Sequence, residues 1–155
     1  RYTHMRSWSI NRVCALVLGI IFLLLGLIGF VTPTENSSGV QAILTIFDSD
    51  TIHNVFYVIV GLLGIIASFT RQFRTFNKVF GVVFILLAIL GVIPALYMPA
   101  GSYGHDNGLF LGITHMNAGD HILHLIAGLL AAIAGFFLVG SATHPERKAR
   151  VRQRA

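Results

Sequence analysis

Four runs of apolar residues alternate with short polar segments along the chain, and each run is about as long as a bilayer-spanning helix. They predict spans over residues 13–31, 52–69, 78–97 and 119–139. Two of the runs open on polar side chains. Residues 117–128 read N-A-G-D-H-I-L-H-L-I-A-G, with Asp120, His121 and His124 close together, and residues 53–61 read H-N-V-F-Y-V-I-V-G. On a helix, positions three and four apart share a face. Asp120, His124, Gly128, Ala131 and Gly135 therefore form one stripe, and His53, Tyr57, Gly61, Gly64 and Ser68 form another. A polar stripe that continues in small residues suits a helix face buried against another helix.

The other two runs also match each other. Residues 19–29 read G-I-I-F-L-L-L-G-L-I-G and residues 81–91 read G-V-V-F-I-L-L-A-I-L-G. The pattern predicts an all-α, four-span transmembrane bundle built from two similar tandem hairpins in the same orientation, a single integral membrane domain over residues 1–155. Asp50 or Thr51 is expected to cap span two, and Asn117 to cap span four, with Asp120 three residues later in a near capping box. Pro94 falls in the last turn of span three. Residues 70–77 form a short basic loop, and residues 42–47 are an apolar stretch suited to the interface. Span one resembles a signal peptide, but no small-residue cleavage pattern follows it and it has an internal counterpart, so it is expected to be retained.

Composition agrees with a membrane protein. Of 155 residues, 55% are hydrophobic and only 11% charged, and the mean hydropathy is +0.77, whereas soluble domains carry about 25% charged residues. The formal charge of +5 is segregated rather than spread. All eleven Lys and Arg residues flank one side of the spans, while Glu35, Asp48, Asp50, Asp106 and Asp120 flank the other. The positive-inside rule then places both termini and the 70–77 loop on the cytoplasmic side of a membrane that the chain crosses several times. Nucleic acid is not an expected partner, because no aromatic platform interleaves the basic residues. Arg71, Arg74, Lys78, Arg147, Lys148 and Arg150 suit anionic lipid headgroups instead, the last three lying in a basic tail over residues 144–155. The single Cys14 excludes an internal disulfide and a thiolate metal cluster.

The polar entrances admit several readings. In one, Asp50, Asn117 and Asp120 cap helices while His53, Asn54, Tyr57 and His124 hydrogen-bond across helices as a clasp between the hairpins. In another, His121 and His124, with Asp120 or His53, hold zinc, or His53 or His124 is an axial ligand to haem iron or chlorin magnesium in a respiratory or photosynthetic assembly. A third is a proton or ion path, although below Tyr57 and His124 the stripes hold only Gly, Ala and Ser. No nucleophile accompanies the histidines at a recognisable spacing and no phosphate-binding loop is present, so an enzyme is not expected. His105 and His115 are expected to be solvated loop residues.

The chain also carries G-F-V-T-P at the end of span one, H-N-x-x-x-x-x-x-G-L-L-G in span two, G-V-V-x-x-L-L-A in span three and N-x-x-D-x-x-L-H-L-x-x-G in span four. These resemble an uncharacterised bacterial family of small four-helix integral membrane proteins, DUF4383. The resemblance implies the fold, a place in a bacterial inner membrane and no agreed activity. Tyr57 stands where the family often has a second histidine, and His121 where it often has asparagine. The expected function is that of an accessory or stabilising subunit working by lateral packing with other integral membrane subunits and lipids. A cofactor- or metal-binding membrane protein is the alternative.

Overall fold

The computed structural model describes residues 8–105 and 107–138. Helix α1 (Ile10–Val31) leads to a small antiparallel hairpin, β1 (Gln41–Ile43) and β2 (Phe47–Ser49), and then to α2 (Thr51–Phe69). After a tight connection come α3 (Phe73–Gly91), a 3-10 turn (Pro94–Leu96), a second antiparallel pair, β3 (Tyr97–Met98) and β4 (Leu109–Phe110), and α4 (Ala118–Ala132). A π-helical turn (Ile133–Phe137) extends α4. All four helices are long and apolar enough to cross a membrane. At ~1.5 Å per residue, each reaches about the ~30 Å of a hydrocarbon core.

The helices lie in two pairs, α1 against α2 and α3 against α4. Both expected stripes are buried, and they form the seams. In the first pair, Gly19 lies against the backbone of Gly61 and Ile65, and Gly61 against that of Leu23. In the second, Gly81 lies against Ala132, and Gly128 against Ile85. At each of these glycines a Cβ would overlap facing backbone atoms. Lipid tails are as apolar as leucine, so hiding apolar surface drives no association between such helices; close backbone contact does. The pairs meet around Phe22, whose ring stands edge-on to Tyr57 at 4.9 Å, Phe80 at 5.3 Å and Phe84 at 4.9 Å. Phe80 and Phe84 stack at 4.0 Å.

Three expectations are corrected. Span three begins at Phe73 and ends at Gly91, not over 78–97, because residues 73–77 carry Phe73 and Phe76 into the helix while the ring of Pro94 disfavours helical geometry at Ile93. Ile93 is extended, and Pro94 starts a 3-10 turn outside α3. The basic connection is accordingly shorter than 70–77. Each long loop holds a two-stranded ladder, which gives its backbone groups partners. Residue 139 and the tail with Arg147, Lys148 and Arg150 lie outside the described residues.

The seams predict a sharp difference between neighbouring positions. Gly61→Val should destabilise the protein by about 1–3 kcal/mol through overpacking, whereas Leu62→Val, on an exposed face, should shift it by less than ~0.5 kcal/mol. Thermal unfolding in mild detergent checks both.

Candidate functional site

The polar residues gather in a ring where α2 and α4 begin and the two long loops fold over them. Asp50 caps α2, its Oδ1 accepting from the His53 backbone N–H at 2.9 Å. The same oxygen accepts from the Thr114 hydroxyl at 3.1 Å, while Oδ2 accepts from the His115 backbone N–H at 2.7 Å and ring Nδ1 at 3.1 Å. One carboxylate thus caps a helix of the first pair and fastens the loop that joins the two helices of the second. Burial, the largest single influence, pushes Asp50 upward, but the hydrogen bonds from His53, His115 and Thr114 together outweigh it and hold the carboxyl below the usual aspartate range. His115 is buried in this contact, which corrects its expected place as a solvated loop residue; His105 is exposed as expected.

His53 extends the tie. Its Nδ1 must donate to the carbonyl of His115 at 3.1 Å, because a carbonyl only accepts, and this fixes the tautomer. One turn deeper, the Tyr57 hydroxyl and His124 Nε2 share a hydrogen bond of 2.7 Å between α2 and α4. The His124 ring stands edge-on to Phe84 at 5.0 Å, so this bond rests on the aromatic centre of the bundle.

The start of α4 mirrors that of α2. Asn117 and Asp120 form a complete capping box: Asp120 N–H donates to Asn117 Oδ1 at 3.1 Å, and Asn117 N–H to Asp120 Oδ2 at 2.8 Å. Asp120 Oδ2 also accepts from the backbone of Asp48 at 3.2 Å, and Asn117 Nδ2 donates to the Ile46 carbonyl at 3.0 Å. The first loop is thereby pinned to the second pair, just as the second loop is pinned to the first.

Two of the singled-out residues act within their own pair. Asn54 donates to Gln41 at 2.7 Å and accepts from the Ser49 hydroxyl, while Gln41 donates to the Thr32 carbonyl at 2.8 Å. This corrects the expectation that Asn54 spans the two pairs: it secures β1 and β2 over the end of α1. His121 turns toward α3, 3.0 Å from the Tyr97 hydroxyl, which itself donates to the Gly91 carbonyl at 2.7 Å. With the tyrosine proton committed, His121 Nε2 is the donor. Burial, with Tyr103 and Asp120 adding to it, holds the Tyr97 phenol above its ordinary range, so it stays protonated.

Asp120, His121, His124 and His53 therefore hydrogen-bond to different partners although they share one end of the bundle. Among the described residues, no three His, Cys, Asp or Glu side chains converge as a metal site would require. His53 Nε2, His115 Nε2, Asp120 Oδ1, His121 Nδ1 and His124 Nδ1 are buried without a hydrogen-bond partner.

A smaller polar contact at the opposite end escaped the sequence reading. Asn77 donates to Asn11 Oδ1 at 3.0 Å and to its carbonyl at 2.9 Å, and Asn11 donates to the Leu138 carbonyl at 2.6 Å. Arg74 Nε donates to the Gly135 carbonyl at 2.9 Å, inside the π turn. Arg74 is thus partly committed within the chain, whereas Arg71 is exposed. The only signal for Asn11 and Asn77 was a polar residue on an otherwise apolar face.

A double-mutant cycle over Tyr57→Phe and His124→Ala should return a coupling of about 0.6–1.7 kcal/mol, the range for hydrogen bonds between membrane helices. Asp50 gives a pH dependence. Because its pKa is lower folded than unfolded, its contribution is complete above the unfolded value of ~3.9 and is lost as pH falls through the folded value. Unfolding temperature should drop on acidification below about pH 4, and the Asp50→Asn variant should lose that part of the drop.

None of the curated proteins and none of the solved structures compared with the chain matches it. The family model described as "Domain of unknown function (DUF4383)" matches residues 12–137. That stretch takes in all of α2, α3 and α4 and the whole polar ring, and the chain belongs to this family.

Proposed function

We propose that this is a non-catalytic integral membrane protein that acts by lateral packing, as an accessory or stabilising subunit of a larger bacterial membrane assembly. The observation that carries the reading is where the ring's hydrogen bonds go. Asp50, His53, Asn54, Tyr57, Asn117, Asp120, His121 and His124 each bond to another part of the same chain. The ring is therefore a clasp, and the largest surfaces left for recognition are the apolar outer faces of the helices. Segregated charge supports an inner-membrane chain with both termini in the cytoplasm.

The same proposal includes descent from a duplicated helix pair. Positions matched in sequence make matched contacts: Gly19 with Ile65 and Gly81 with Ala132, Gly61 with Leu23 and Gly128 with Ile85, Gly29 with Asn54 and Gly91 with His121. Matched residues also meet each other, Phe22 with Phe84 and Tyr57 with His124. Such pairing suits parallel repeats related by an axis along the membrane normal.

A second reading rests on the unpartnered nitrogens. His53 Nε2 and His124 Nδ1 belong to rings whose centroids are 6.1 Å apart, and together they offer two donors to a zinc ion or to a haem or chlorin metal. One preparation separates the two. Extracted from native membranes in mild detergent, the protein should co-purify with larger integral membrane partners, show no visible absorbance band and hold no stoichiometric metal. A lone monomer in native membranes overturns the subunit reading; a Soret or chlorin band, or one zinc per chain lost in His124→Ala, establishes the second.

A further inference from the structure

The two helix pairs do not close against each other along their whole length. Between α2 and α3 an apolar groove of about 490 Å³ opens on the outer surface of the bundle. Phe76, Phe80 and Phe84 contribute its aromatic side, and Val60, Ala67 and Val83 are among the short side chains that leave it hollow. It runs from Phe56 and Phe84 to Thr70 and Thr75. Fourteen residues of α2 at ~1.5 Å each make that about 21 Å, somewhat more than the ~15 Å of one leaflet's hydrocarbon.

The two ends of the groove differ in chemistry. The end near Phe56 and Phe84 is apolar, whereas the other is a mouth formed by Thr70, Gln72 and Thr75. Arg71 stands exposed between two of these mouth residues, while Arg74 and Lys78 on the following helix contact Gly135 and Phe136 of the π turn. Every described carboxylate, Glu35, Asp48, Asp50 and Asp120, belongs to the opposite end of the molecule. An apolar channel open sideways to the bilayer, ending in hydroxyl and amide groups beside the exposed Arg71, matches an amphiphile with an anionic head.

We infer that this groove is a binding site for one anionic phospholipid of the leaflet at the basic end. One acyl chain lies along Phe76, Phe80 and Phe84 in the groove. The phosphate sits at the mouth near Arg71, with Thr70, Gln72 and Thr75 around it. The inference goes beyond the subunit reading and does not depend on whether a larger partner exists.

Native mass spectrometry of the full chain in mild detergent tests it, with phosphatidylglycerol and phosphatidylcholine of identical chains as probes. The expected result is one retained phosphatidylglycerol per chain, preferred by about fivefold or more, since one basic residue near a membrane surface contributes ~1 kcal/mol. Val83→Trp, which fills the groove, should abolish retention of both lipids, and Arg71→Gln should reduce the preference. If Val83→Trp does not fold, Val79→Trp, at a position 58% exposed, takes its place. Equal retention of the two lipids, or retention unchanged by the filled groove, overturns the site. So does equal competition by glycerophosphoglycerol, which carries the phosphate without chains. A cysteine at Val79 that cross-links to a neighbouring protein helix in native membranes would show a protein occupant and likewise overturn it.

Discussion

Helices surrounded by lipid gain nothing by hiding their apolar side chains from it, so what holds them together must be contact closer, or chemistry stronger, than lipid offers. This chain uses both in sequence along each helix. Mid-membrane, glycines bring backbone to backbone, as at Gly19 with Gly61 and Gly81 with Gly128. Toward the long-loop end, side-chain hydrogen bonds take over, because a buried polar group left without a partner is costly. The order matters. Polar groups near the interface are far less costly than the same groups at the bilayer centre, where the chain places Phe22, Phe80 and Phe84 instead.

The division between the two helix pairs gives the polar ring its work. Within a pair, the seam alone is extensive. Between pairs, the contact is carried by the aromatic cluster, by Tyr57 with His124, and by two loops that each reach across: Asp50 takes hold of His115, and Asp120 takes hold of the Asp48 backbone. At the other end, Asn11, Asn77 and the Leu138 carbonyl make a smaller counterpart. Here the π turn has a use: α4 widens where Arg74 takes the Gly135 carbonyl. The bundle is thus fastened at both rims and left open between α2 and α3.

Much of this was legible in the sequence, because its signals are local. Span number follows from run length, buried faces from three-and-four spacing, and helix starts from Asp50 and Asn117, both of which cap as expected. The failures share a cause as well. The start of α3 was misplaced because Arg71 and Arg74 made residues 70–77 read as a basic loop, although Arg74 lies on the helix and its Nε reaches the Gly135 carbonyl. His115 was misjudged because the partner that buries it, Asp50, is far away in the chain. Asn54 was assigned to the wrong partner because nothing local reveals that β1 brings Gln41 over it. Spacing tells which side chains share a face; it does not tell what stands opposite.

The meeting of Phe22 with Phe84 and of Tyr57 with His124 carries a consequence of its own. In a two-fold dimer of identical chains, a residue beside the axis faces its own copy, and any substitution there changes both partners at once. A single polypeptide holding both halves is free of that restriction. Its central contact can pair unlike groups, a phenol with an imidazole, beside a pair of like groups, the two phenylalanines. Linking two halves in one chain thus makes room for asymmetry at the point where symmetry would otherwise be strictest.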